Sequence, residues 1–239
     1  MGLERSNFYV EPDLLENLMQ IRSDFSQSVV VRPGDIAWSP SLMAGVERQM
    51  LDRIGDEVAR ATSIVRYAEN SHFDAHEHRG GEEFLVLDGV FSDEHGDYPA
   101  GTYVRNLIGS KHTPFSVAGC TIFVKLHQFE PDDSAHIVID TRGTPFLPGS
   151  APGLSVLLLH MHGTENCALV RWEPGTEFHR HVHWGGEEIL VLEGTLKDEH
   201  GVYPQGSWVR NPHQSEHTPV SDEGCLIYVK TGHLLSGSV

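Results

Sequence analysis

Short apolar runs broken by glycine- and proline-containing turns dominate the chain. EFLVLDG (83–89), TIFVKL (121–126), SVLLLHMHG (155–163), EILVLEG (188–194) and LIYVKT (226–231) have strand length and β-rich composition. Clusters such as SDEHGDYPAG (92–101) and KDEHGVYPQG (197–206) separate them. Short strands at close, regular spacing with Gly/Pro turns predict a β-sandwich or barrel. One stretch conflicts with this. VERQMLDRIGDEVAR (46–60) has apolar residues at 46, 50, 54 and 58, a helical period. Its counterpart in the second half, LSVLLLHMHGTENCALVRW (154–172), instead alternates around a turn. The second half prevails, and the expectation is a strand to about Ile54, a turn at Gly55-Asp56 and a strand through Tyr67. The one helix expected is N-terminal, within EPDLLENLMQIR (11–22).

The comparison between halves extends along most of the chain. From Val65–Lys125 to Val170–Lys230 the sequence repeats at an offset of 105 without a gap, and 33 of those 61 pairs are identical. HEHRGGEEFLVLDG (76–89) matches HVHWGGEEILVLEG (181–194), and SKHTPFSVAGCTIFVK (110–125) matches SEHTPVSDEGCLIYVK (215–230). Two copies of a unit of roughly 100 residues are two domains, each large enough to close a core. The Gly/Pro-rich stretch 140–153 marks the join. The division expected is an extension over 1–28, a first unit over 29–140 and a second over 141–239.

Composition narrows the function. The chain has 239 residues and a formal net charge of −17, which opposes the counterion displacement that nucleic-acid binding requires and docking on anionic membranes. No apolar run approaches the roughly 20 residues of a membrane span, and the start lacks the basic and apolar regions of a signal peptide. A cytoplasmic location is the expectation. Cys120, Cys167 and Cys225 form no framework and are expected to be reduced and buried. Sixteen histidines are many for a chain of this size and ask for a chemical reason.

The repeat supplies one. His76 and His78 are two apart, so on a strand both imidazoles face one side. Glu82 follows after the Gly80-Gly81 pair, and His112 comes 34 residues after His78. The second unit places His181, His183, Glu187 and His217 identically. These ligand types persist where 77, 79 and 84 differ from 182, 184 and 189. Three imidazoles and one carboxylate suit iron, zinc, nickel, copper or manganese rather than calcium or magnesium. The expected cofactor is one divalent transition metal per unit, Fe(II) or Zn, with Mn and Ni as alternatives. Four protein ligands leave room for water, O₂ or a substrate.

These residues resemble the two cupin motifs. In the second unit the first motif reads Gly175, His181, His183, Glu187, Gly194; in the first unit Asn70 stands for the opening glycine, and Asn also visits positive φ. The second motif begins at Gly101 and Gly206, with Leu107 in place of Pro212, Gln214 in place of Gly109, and Ser116 and Ser221 where the motif has Asn. More narrowly, the stretch from His76 to Pro114 resembles ChrR-type cupins, which include an anti-sigma factor domain and short cupin dioxygenases. The resemblance implies an all-β fold: two tandem jelly-roll barrels, a bicupin, with a His₃Glu metal site in each. It also implies two functional readings. One is a non-haem Fe(II)-dependent dioxygenase acting on a small organic substrate bound in a barrel. The alternative is a ChrR-like zinc-binding sensor without catalysis, although the first 28 residues lack the Cys-bearing helical domain that sigma-factor binding uses. A non-oxidative isomerase or lyase is a third. Cupins commonly pair barrels, so a homodimer is also compatible.

Other residues have blander expectations. Glu83 and Glu188 alternate away from the ligands and read as exterior or as supports of the site. Phe84, Val86, Ile189 and Val191 share the ligands' parity and are expected inside the barrels. His95 and His200 belong to turns, and Arg105 and Arg210 to structural ion pairs. His72, His160, His162 and His179 are minor candidates for proton carriers. Tyr67 against Trp172, Tyr103 against Trp208 and Arg79 against Trp184 would distinguish the two sites if they reach the mouths.

Overall fold

The computed structural model describes residues 19–56 and 58–234. Among them there is no helix and therefore none long and apolar enough to cross a membrane. Residues 11–18 of the expected helix lie outside the described residues. Its described part, Gln20–Ile21, is a strand paired with Ile54 and Arg53.

The two units build two barrels. In the first, the main sheet runs Gln20–Ile21, Val46–Ile54, Arg60–Tyr67, Cys120–Leu126, Glu82–Asp93, Thr102–Asn106, Ile137–Asp140, all antiparallel. In the second it runs Leu147–Pro148, Leu154–His162, Glu165–Trp172, Cys225–Thr231, Glu187–Asp198, Trp208–Asn211, Val29–Val31. The strand–turn–strand expected at 46–67 is present, with Gly55 at φ 114. The helical period there failed because a β-bulge breaks the alternation: Met50 pairs Ser63 and Asp52 pairs Thr62, leaving Leu51 over. The second unit repeats it at Leu159.

One edge strand crosses between the units. Ile137–Asp140 pairs Thr102–Arg105 of the first barrel, whereas Val29–Val31 pairs Trp208–Arg210 of the second. Val29–Val31, which the repeat would assign to the first unit, thus completes the other sheet. Each barrel has its own core, with Phe84, Val86, Ile122 and Val124 in the first and Ile189, Val191, Ile227 and Val209 in the second. The alternate residues of the same strands, among them Leu85, Phe123, Leu190 and Tyr228, form a third core between the barrels.

That middle layer also holds charge. Glu83 and Glu188 are neither exterior nor near the ligands' face. Both are fully buried because the opposite barrel covers the sheet face on which they stand. Lys230 Nζ lies 2.5 Å from Glu83 and 2.9 Å from Glu165, and Lys125 Nζ lies 2.5 Å from Glu188. Arg105 pairs Glu83 at 2.9 Å and also Asp133, and Arg210 pairs Asp52 at 2.9 Å, as expected of structural ion pairs. Burial pushes the Glu83 carboxyl up, but the cations Lys230 and Arg105 beside it together hold it below the usual carboxylate range. A buried carboxylate is tolerated only with such partners, so each barrel supplies what the other's glutamate needs.

Candidate metal centres

The barrel interior gathers the histidines through strand pairing. His76–Glu77 is antiparallel to Lys111–His112 with His76 opposite His112, and His181 stands opposite His217 in the same way. Directly opposed residues have neighbouring Cβ atoms, which places the distant third histidine beside the first. His78 and Glu82 follow across the turn in which Gly81, at φ 77, donates its N–H to the His78 carbonyl at 3.2 Å. A side chain at Gly81 would meet the Phe129 ring at 2.2 Å, so the close approach also requires glycine.

In each barrel the four predicted ligands come together, with their ligand atoms all within 4.8 Å of one another. In the first, His76 and His78 Nε2 are 3.1 Å apart, and Glu82 Oε2 lies 3.4 Å from His78 Nε2 and 3.7 Å from His112 Nε2. The corresponding separations in the second are 3.2, 3.4 and 3.6 Å. Donors about 2.0–2.2 Å from an ion subtend separations of this size. The outer nitrogens are all engaged. His76 Nδ1 meets the Asp74 carbonyl at 2.8 Å, His78 Nδ1 meets Ser110 Oγ at 3.0 Å, and His112 Nδ1 meets Asp93 Oδ2 at 3.0 Å. His181, His183 and His217 use the His179 carbonyl, Ser215 and Asp198. An Nδ1–H donated outward leaves the Nε2 lone pair pointing inward, which is how a histidine is presented to a metal.

Two further observations fit an ion. His112 Nε2 and His217 Nε2 are buried without a hydrogen-bond partner, a costly condition for polar atoms unless something else engages them. Burial, followed by the charges of neighbouring imidazoles, pulls His183 down to about 3, so it is neutral, as ligation requires. Burial also lowers His112 and His217, but the bonds to Asp93 and Asp198 together with the charges of these aspartates and of Glu82 and Glu187 outweigh it and raise both. Glu82 and Glu187 are steadied by Asn106 and Asn211 at 3.0 and 3.3 Å.

Two matches of the ChrR cupin-like domain family cover residues 26–130 and 134–235. The chain belongs to that family. No curated protein matches it in sequence. Among solved structures, this cupin resembles a candidate dioxygenase from Nostoc punctiforme, with a TM-score of 0.73 and 14% identity over 88% of this chain and 84% of that one. It also resembles a bacterial pirin from Escherichia coli in complex with nickel(II), with a TM-score of 0.62 and 12% identity over 86% and 98%. A Bacillus subtilis oxalate decarboxylase gives a TM-score of 0.60 and 12% identity over 85% and 76%. At such identities the likeness is one of fold.

Of the minor candidates, His160 and His162 meet Asp133 and Asp132, away from both clusters. His72 is exposed on a strand paired with Phe115. His179 contributes its carbonyl, and its ring packs at a tilt against Phe178. His95 and His200 are turn residues whose N–H groups bond Asp93 and Asp198. Tyr103 and Trp208 are not at any mouth. They lie between the barrels and donate to Glu83 and Glu188, each at 2.8 Å. Trp184 is largely exposed. A cavity of about 260 Å³ adjoins the first cluster and is lined by His76, His78, Glu82 and Tyr67. It also touches Arg48, Arg53 and His127, which sequence reasoning missed. Asp93, Asp198, Ser110 and Ser215 were missed as well. Their identity in both repeats was the signal that could have found them.

Proposed function

We propose that this cupin is a metal-dependent enzyme that binds one divalent transition metal per barrel. The ligands are His76, His78, Glu82 and His112 in the first and His181, His183, Glu187 and His217 in the second. With Fe(II), the first barrel acts as a dioxygenase on a small organic substrate. The observation that carries this reading is the pairing of an inward-facing His₃Glu donor set with an adjoining cavity of about 260 Å³. A bound ion supplies a template and Lewis acid to which substrate and O₂ can be held side by side.

The chain's own residues do the rest. Ser110 and Asp93 fix the imidazole planes, and Asn106 holds the Glu82 carboxylate. Tyr67, Phe91, Ile122 and Val124 keep bulk water from the cavity. His76 is only half-buried, which leaves that side of the cluster approachable. The family membership favours a second reading, a zinc-binding regulatory cupin without turnover.

The test is metal analysis of protein purified anaerobically, followed by O₂ uptake of the iron-loaded protein with a panel of small aromatic and diketone substrates. Iron with substrate-dependent O₂ consumption is the expected result. Zinc retained in preference to iron, with no uptake across the panel, overturns the enzymatic reading in favour of the regulatory one.

A further inference from the structure

The two barrels leave a cavity between them that neither metal centre uses. Its volume is about 750 Å³, within the roughly 300–1,000 Å³ of small-molecule sites. None of the metal ligands lines it. Its floor comes from both units in corresponding pairs: Ile64 and Leu169, Leu85 and Leu190, Leu87 and Leu192. These side chains stand on the faces that the barrels turn toward each other. The two ends of the cavity differ. Tyr103 pairs Ile139 and Trp208 pairs Val31. Because 103 corresponds to 208 in the repeat, Ile139 answers to Val31, and three residues further on Arg142 answers to Gly34. Arg142 lies along Gly101, where an added Cβ would meet its Cγ at 2.7 Å. A Cβ added at Gly34 would meet nothing within 4 Å. One end therefore carries an arginine and the other is open.

We infer that this cavity binds a medium-chain fatty carboxylate, with its chain on the leucine floor and its carboxylate at Arg142. The site stands whether or not the clusters hold metal, since it shares no ligand with them. The charges around the cavity single out Arg142. Arg171 lies over the Phe146 ring at 5.1 Å and 4.0 Å from Glu193, so these two lining charges offset each other. The Arg142 backbone N–H donates to Asp140 Oδ1 at 3.0 Å, and Asp140 does not line the cavity. The Arg142 guanidinium has no hydrogen bond, ion pair or ring contact among the described residues. Several other rim groups are engaged within the protein. Gln49 Nε2 donates to the Ile36 carbonyl, and the Thr141 and Thr144 hydroxyls donate to the Gly101 and Asp140 carbonyls, each at 2.6 Å. A guanidinium matches a carboxylate through two parallel N–H···O bonds. Every methylene moved from water onto the leucines adds to the binding. A sugar, or a second charge along the chain, would lie unpaired on that floor. One anionic end and an apolar remainder is the chemistry that fits.

The test is calorimetric titration of the full-length, metal-loaded protein with octanoate and, separately, with octanol. Octanoate is expected to bind once per chain and about tenfold more tightly than octanol. Arg142→Gln is expected to weaken octanoate about tenfold and to leave octanol unchanged. Arg142 is exposed, so its replacement disturbs neither the packed interior nor the metal content. Leu87→Trp places a ring in the cavity and is expected to abolish binding of both. Should that variant fail to fold, Arg142→Gln still decides the matter. Octanoate affinity unchanged in Arg142→Gln would put the ligand elsewhere, a metal ion included, and overturns the site. Equal affinity for octanoate and octanol in the unaltered chain overturns the carboxylate end. Absence of binding by either, or retention of both by a folded Leu87→Trp, overturns the site outright.

Discussion

The three corresponding ligand separations are 3.1, 3.4 and 3.7 Å in the first barrel and 3.2, 3.4 and 3.6 Å in the second. The walls around them diverge, with Arg48, Arg53 and His127 answered by Val156, Met161 and Gly232. Duplicated units keep what geometry demands of both, the donors and the groups that lock each imidazole, and differ in the wall beside the ligands. The faces turned toward each other show a third behaviour. Glu83 and Glu188 are identical by the repeat, yet each is neutralised by a lysine of the other unit. The likeness there is a joint requirement, because each buried carboxylate faces a lysine that only the other barrel supplies.

The largest effects are expected where the barrels depend on each other. Lys125→Met strands the buried Glu188 carboxylate and is expected to cost about 3–5 kcal/mol, whereas Lys230→Met leaves Glu83 with Arg105 and is expected to cost less. Denaturant unfolding should show one transition, lowered as a whole. Two separate transitions with only one displaced would break the picture of interlocked barrels. Next come the groups that aim the ligands. Asp93→Asn and Asp198→Asn each lose the carboxylate that holds an Nδ1–H, and metal affinity at that site is expected to fall about 10–100-fold. Competition with a chelator of known affinity should give similar factors for the two barrels, and a factor confined to one would deny that the centres are equivalent. The smallest effect is at His127. Glycine there relieves a left-handed backbone but gives the unfolded chain more freedom, so His127→Gly is expected to move stability by no more than about 1 kcal/mol, read from the denaturant midpoint.

Much of this was legible in the sequence. The 105-residue repeat carried the two barrels, and the spacing of His76, His78, Glu82 and His112 carried both ligand sets. Asn70 at φ 56 stands where Gly175 has φ 77, as its place in the motif implied. Glu83 and Glu188 were misplaced because strand parity says which face a residue occupies and not what covers it. Leu85 and Leu190 gave no hint either, since an apolar face toward a second barrel looks like any other core. The crossing of Val29–Val31 into the far sheet depends on pairing across about 180 residues, to Trp208–Arg210, and three valines name no partner. Arg48 and Arg53 escaped because the Leu51 bulge lies before the gapless part of the repeat. Simple alternation puts those two arginines on opposite faces; the extra residue puts them on one.

Metal content of His78→Ala and His183→Ala beside the unaltered chain, after identical loading and exhaustive dialysis, tests most directly whether each barrel holds its own ion. Two transition-metal ions per chain, falling to one in either variant, is the predicted result. An unaltered chain without metal, or a variant that still holds two, contradicts it.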